Sequence, residues 1–234
     1  MSTHSLVLST DSVLIAVFAH PDDESFLLGG TLRLHTSNNI PTYLICVMKD
    51  LDGSTTRVSE LENAAKILKV QDTQVIGYLS GDLGAHRYYD LARTLAKRIT
   101  AISANHPGSP ITLMTLEPRG VSGHMDHIFV TMVTTYVFYQ LPQCKKLMYF
   151  CKSTDQKPIR NPDYFVYSPP GYPLDQIDES YDISSVWDIK RKAILCHKSQ
   201  IIDQQAQLDG RPLSYFNPEH FIVLEQDYKG QKME

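Results

Sequence analysis

A chain of 234 residues suits one sizeable α/β domain, and its 42% hydrophobic and 21% charged residues can bury an ordinary core without disulfides. A formal net charge of -4 removes the electrostatic case for nucleic acid as a partner. No window approaches the ~20 apolar residues of a transmembrane segment, and Met1-Ser2-Thr3-His4 lacks the basic start of a signal peptide. The expectation is a cytoplasmic protein with Cys46, Cys144, Cys151 and Cys196 as reduced thiols, acting on a small molecule.

In chain order, Val13 to Ala19 is a continuous apolar run, as in a strand covered on both faces. His20-Pro21-Asp22-Asp23-Glu24 follows, leading into a helical pattern through about His35 that breaks at Asn38-Asn39. Thr42 to Met48 predicts a second buried strand, and Asp50 to Thr56 a polar loop. Leu61, Ala64, Ala65 and Leu68 mark one face of a helix over Arg57 to Leu68. Thr73 to Leu79 reads as a strand, Tyr88 to Ala104 as a long helix, and Ile111 to Leu116 as a fourth strand before a helix from about Gly123 to Tyr139.

Beyond Lys145 the pattern loosens. It predicts a strand over Leu147 to Cys151, an irregular Pro- and Tyr-rich stretch from Pro158 to Pro173, one amphipathic helix within Ile183 to Gln205, and a last strand at His220 to Leu224. Strand alternating with helix argues a Rossmann-like α/β fold, a mostly parallel sheet with helices on both faces. The whole chain reads as a single domain elaborated from about residue 145.

Two segments carry chemistry. His20 to Glu24 sits just past a buried strand, where open α/β sheets place ligands. Three carboxylates and an imidazole gathered there call for a cation, and imidazole plus carboxylate suits zinc, with iron or manganese as alternatives. The competing reading is a helix start whose acidic residues complement the macrodipole. Arg119-Gly120-Val121-Ser122-Gly123-His124-Met125-Asp126-His127 follows another strand. His124 and His127, spaced i and i+3, share a face if a helix starts there, and Asp126 is suited to accept an imidazole N–H. Alone this second pattern is weak; beside the first it suggests three ligands around an open catalytic position.

Ala19 to Glu24 with Gly29-Gly30-Thr31-Leu32, Arg57-Val58-Ser59-Glu60-Leu61, and Pro118 to His127 resemble motifs of the LmbE-like/PIG-L de-N-acetylase family; Lys192-Ala193 with His197 to Gln200 resembles a weaker C-terminal signature. The resemblance implies a zinc-dependent hydrolase removing acetyl from an N-acetylglucosamine-type conjugate. It assigns His20, Asp23 and His127 as metal ligands, Asp22 as general base, and His124, oriented by Asp126, beside the substrate carbonyl. It matches Arg57 and Asp82 to substrate-contacting positions, although Ser80-Gly81-Asp82-Leu83 departs from the Pro-Asp-Gly of bacterial relatives and Arg57 is equally readable as paired with Glu60 or Glu62. A hydrolase of another amide or ester, and a non-catalytic metal-binding module, are the alternatives; a homo-oligomer is left open.

Overall fold

A computed structural model describes residues 11–49, 55–156, 167–200, 208 and 212–226. Five strands form a parallel array: β1 (Val13–Phe18), β2 (Thr42–Lys49), β3 (Asp72–Leu79), β4 (Ile111–Leu116) and β5 (Cys144–Cys151). Two further strands, β6 (Glu179–Tyr181) and β7 (Glu219–Glu225), add antiparallel at one edge, giving the order β3-β2-β1-β4-β5-β7-β6. The mostly parallel α/β architecture expected from the sequence is what forms, and the sequence pattern missed β6.

The helices are α1 (Asp23–Phe26), α2 (Gly29–Ser37), α3 (Thr56–Leu68), α4 (Tyr88–Ala104), α5 (Gly120–Gly123, one turn), α6 (Met125–Gln140) and α7 (Trp187–Ile194). β1 is the centre of the fold, and all six of its residues are buried. Its Val13, Ile15 and Val17 pack with Leu91, Leu95 and Ile99 of α4 and Val130, Val133 and Val137 of α6. Its Leu14, Ala16 and Phe18 pack with Leu32 of α2, Leu61, Ala64 and Leu68 of α3 and Ala193 of α7. An alternating strand with both faces covered needs apolar residues throughout, which is why the run is continuous. Each such side chain contributes about 1.5–3 kcal/mol by leaving water.

Three expected helices differ. The pattern running to His35 splits into α1 and α2, because the Glu219 carboxylate of β7 accepts the backbone N–H groups of Gly30 (2.9 Å) and Thr31 (2.7 Å) and so creates a new helix start. Lys190 Nζ, 2.6 Å from Glu219 and equally buried, balances the charge. The helix expected from Gly123 instead begins at Met125, since His124 adopts an extended backbone and caps it. Within Ile183 to Gln205 the described helix is the eight residues of α7; positions 201–207 lie outside the described residues, as do 50–54 of the expected polar loop and 157–166 of the Pro/Tyr-rich stretch.

Candidate metal centre

The strand order turns at β1. The chain moves from β1 outward to β2 and β3 on one side, then crosses to β4 on the other. Loops leaving the carboxyl ends of β1 and β4 therefore part in opposite directions and leave a crevice between them. The first loop carries His20 to Glu24, and the second Glu117 to His127. Two stretches about a hundred residues apart thus meet.

The first loop is tightly tied. The His20 amide donates to Asp23 Oδ2 (2.9 Å), closing the turn in front of α1. Asp22 sits at φ 143°, a backbone region that strains any residue with a Cβ. Its amide is held by Glu24 Oε2 (3.0 Å), and its Oδ2 accepts from Arg57 Nη2 (2.8 Å), which also donates to Pro21 O (2.9 Å). Glu24, fully buried, accepts in addition from Ser25 Oγ (2.6 Å) and His197 Nε2 (2.7 Å). The strained residue is thus fixed from both its backbone and its side chain.

The second loop is organised by Glu117, whose carboxylate accepts the amides of Arg119 (2.8 Å) and Val121 (3.0 Å). Gly120 lies at φ 72°, and a Cβ there would press on His127 Cβ at 3.0 Å; only glycine lets the backbone come this close. The reward is a hydrogen bond from His127 Nδ1 to Gly120 O (3.0 Å). At the helix start, His124 Nδ1 accepts the Asp126 amide (3.1 Å).

These partners fix the tautomers. A carbonyl only accepts, so His127 Nδ1 carries a proton and Nε2 presents a lone pair. His20 Nε2 lies 3.1 Å from Asp126 Oδ2, an ionised carboxylate that also takes Ser80 Oγ (2.9 Å) and the Gly81 amide (3.1 Å). His20 Nδ1 is therefore the bare nitrogen. It lies 3.1 Å from His127 Nε2 and 3.8 Å from Asp23 Oδ2, while His127 Nε2 lies 3.3 Å from Asp23 Oδ1. Two lone pairs and a carboxylate aimed at one another repel unless a cation joins them. Around a tetrahedral ion with ligands ~2.0–2.1 Å away, neighbouring donors stand about 3.3 Å apart. The donor set and its spacing fit a metal, and His20, Asp23 and His127 form a group able to hold one. His20, His124 and Asp126 also lie close enough to share an ion, but Asp126 already accepts from His20, Ser80 and Gly81.

The electrostatics carry the same message. Burial alone would raise the Asp23 carboxyl, but the charge and hydrogen bond of His127, with His20 behind them, hold it well below the usual carboxylate range. Burial opposes protonation of His127, yet Asp23 lifts it to about 9. A proton on that imidazole takes the position of a cation. Burial and the Asp23 charge push Asp22 up to about 8, with Arg57 acting against them. Asp126 reaches about 2 despite burial, through the bonds from His20, Ser80 and Gly81.

Residues 15–138 match the family described as PIG-L, GlcNAc-PI de-N-acetylase. The chain belongs to this family. A PIG-L relative from Thermobifida fusca, named 1D-myo-inositol 2-acetamido-2-deoxy-alpha-D-glucopyranoside deacetylase, is 28% identical over 82% of this chain and 84% of its own length. One from Bacillus anthracis, a probable N-acetyl-alpha-D-glucosaminyl L-malate deacetylase, is 24% identical over 58% of this chain and 64% of its own. Among solved structures, N,N'-diacetylchitobiose deacetylase from Pyrococcus horikoshii superposes with a TM-score of 0.64 at 18% identity, covering 92% of this chain and 85% of that one, a likeness of fold. Amide hydrolysis is the chemistry common to the PIG-L family and these relatives, and the chain is an enzyme of that class.

Within this PIG-L fold the structure gathers His20, Asp22, Asp23, Arg57, His124, Asp126 and His127, with two corrections. Asp126 turns its side chain to His20, not to His124 as the sequence suggested; the β3 loop, through Ser80 and Gly81, holds it there. His124 is lowered to about 4, by burial and then by the imidazoles of His127 and His20, whose ring centroids lie 5.0 and 4.7 Å away; these outweigh the carboxylates of Asp126 and Asp23, which act upward. Asp82 pairs with Arg87 at 3.0 Å. Arg57 grips Asp22, while Glu60, offered as its partner, accepts from Ser199. Sequence reasoning missed Ser80 and the Glu24–His197 pair; the acidic motif hinted at Glu24, but nothing local marks His197 as its partner. Trp187 packs on Phe216, and Tyr181 is buried against Phe221.

Proposed function

We propose that the enzyme hydrolyses the N-acetyl amide of an N-acetylglucosamine-type conjugate, with zinc held by His20, Asp23 and His127. The observation that carries this reading is the pair of imidazole lone pairs converging with Asp23 beside a second carboxylate, Asp22, that is locked in place by other means. Bound zinc would supply Lewis acidity, bringing the pKa of water down towards ~7 and polarising the acetyl carbonyl; iron or manganese suits the same donors.

The chain's own residues divide the remaining work. Asp22 Oδ2 is taken by Arg57, and Oδ1, without a hydrogen bond among the described residues, is the atom that removes the proton from the attacking water. The same oxygen returns that proton to the departing amine. His124 serves as a neutral donor: its Nδ1 accepts the Asp126 amide, so the ring proton resides on Nε2, the nitrogen that donates to the oxygen on which charge develops. Arg57 orients the base. Asp82, on the loop that reaches Asp126, contacts the sugar with its carboxylate shared with Arg87.

The acetamide of N-acetylglucosamine is the unit common to the names of the family and of its inositol- and malate-linked relatives, whereas the remainder of the conjugate varies. The test is a panel of such conjugates assayed for free amine. Zinc-loaded protein should release amine, and Asp22→Asn should keep its metal by elemental analysis while losing about 10²–10⁴-fold in turnover. Full speed in that variant removes Asp22 as the base, and no amine from any conjugate ends the reading.

A further inference from the structure

Asp22 needs more support than its own loop can give. At φ 143° its backbone lies where a Cβ is crowded, and such a conformation persists only when the surroundings over-determine it. The bond that acts on that backbone runs from the Asp22 amide to Glu24 Oε2 (3.0 Å). Glu24 is two residues further along the same loop, and a second donor to its carboxylate, Ser25 Oγ (2.6 Å), is its immediate neighbour. Both would move with the loop if it relaxed. The one donor to Glu24 from elsewhere, among the described residues, is His197 Nε2 (2.7 Å), 173 positions away.

We propose that His197 is a positioning residue: through Glu24 it keeps the Asp22 backbone in its strained conformation and so fixes the direction of the Asp22 carboxylate. The assignment of that carboxylate as base rests on the deacetylase reading above.

The anchor suits this role. His197 follows α7, whose Ala193 lies in the core with Leu14, Ala16 and Phe18 of β1, and its amide donates to Ile194 O (3.1 Å). The side chains of His197 and Glu24 are both wholly buried, so their bond is shielded from solvent. Burial works against a charge on the imidazole, yet Glu24 and the bond to it raise its pKa above the ordinary value, as a charge-assisted bond requires. Two positions on, Ser199 donates its amide and its Oγ to the two oxygens of Glu60 (2.8 and 2.6 Å). Glu60 stands one turn beyond Arg57 in α3, and Arg57 Nη2 holds Asp22 Oδ2 (2.8 Å). The 197–199 segment therefore grips both carriers of the Asp22 restraints, the loop that fixes the amide and the helix that fixes the carboxylate. It lies beyond residues 15–138, the part that matches the family.

A residue that merely supports the fold changes thermal stability and leaves the turnover of each folded, zinc-loaded molecule intact. A positioning residue changes that turnover, since a misplacement of about 1 Å can cost about 10²-fold in rate. His197→Phe keeps a ring in the space and removes the donor, whereas His197→Gln keeps an N–H at a similar reach. Two measurements on zinc-saturated protein test the proposal: exchange of the Asp22 amide hydrogen by NMR, and kcat and KM for amine release from N-acetylglucosamine conjugates. His197→Phe should speed Asp22 exchange at least tenfold relative to the Ile15 amide of β1, and lower kcat at least tenfold with KM within twofold. His197→Gln should recover most of both. Unchanged exchange in the Phe variant overturns the hold on the backbone. Faster exchange with unchanged kcat overturns the link to the base, and so does a loss of kcat that the Gln variant fails to recover. If the Phe variant does not fold, His197→Asn, whose amide falls short of Glu24, takes its place under the same criteria. Release of no amine from any conjugate by the unaltered enzyme refutes the deacetylase reading, while the exchange measurement still decides whether His197 holds Asp22.

Discussion

Replacing Asp126 by Asn tests whether the carboxylate behind His20 is what commits that imidazole to a metal. The variant keeps the size of the side chain and an oxygen able to accept from His20 Nε2, but it removes the charge that the 3.1 Å contact now places on the ring. A hydrogen bond to a charged group contributes about 1.5–3 kcal/mol against about 0.5–1.5 kcal/mol for a neutral one, so the loss should be about 1–2 kcal/mol. That corresponds to the lower part of the about 10–100-fold loss in metal affinity typical for outer partners of ligating histidines. The loss should be confined to binding, since Ser80 and Gly81 can still donate to the amide oxygen. Zinc affinity measured by competition with a coloured chelator, alongside circular dichroism to confirm the fold, gives the number. Affinity within twofold of the original would show that Asp126 does not act through His20, and the tautomer argument would lose one of its two supports.

Removing the metal with a chelator should lower the thermal midpoint, because an ion bound only by the folded state stabilises it by mass action; about 4 kcal/mol is expected at a thousandfold excess over Kd, and an unchanged scanning-calorimetry midpoint contradicts the site. Lys190→Met should cost about 3–5 kcal/mol in urea titration by stranding the buried Glu219 carboxylate, whereas a loss under about 1 kcal/mol would mean that the Gly30 and Thr31 amides balance it alone. His35 and His220 are both held below their ordinary value, chiefly by burial. The unfolded chain therefore binds protons that these rings refuse, and their share of stability, complete above about pH 6.5, is lost as pH falls through their folded values. Chemical denaturation between pH 7.5 and 5 should show this slope, flattened in His35→Gln; an equal slope in that variant assigns the effect elsewhere.

Much of the fold was legible because its information is local. The apolar run of β1, the alternation of β1 to β4 with α3, α4 and α6, and the placement of both motifs at strand ends follow from periodicity over a dozen residues. What escaped depends on partners distant in sequence. The break between α1 and α2 is made by Glu219, 189 positions from Gly30. The bond between Glu24 and His197 spans 173 positions, and that between Asp126 and His20 spans 106. Residue type and spacing marked the two segments as a metal site, and the resemblance to the family picked His20, Asp23 and His127 from them, whereas the preference of Asp126 for His20 over its near neighbour His124 could not be read. It hinges on a helix cap: once His124 Nδ1 accepts the Asp126 amide, the carboxylate of the same residue is turned away from that ring. Short strands such as β6, three residues long, carry too little pattern to be seen at all.

The neighbourhood of β1 and β4 has an evolutionary corollary. The group able to hold a metal hangs from two adjoining strands at the middle of the sheet, where every side chain is hemmed in. The 169–171 stretch, by contrast, belongs to the later part of the chain, beyond the central strands. Selection can therefore rewrite that later stretch of the chain without disturbing the group that the central strands hold.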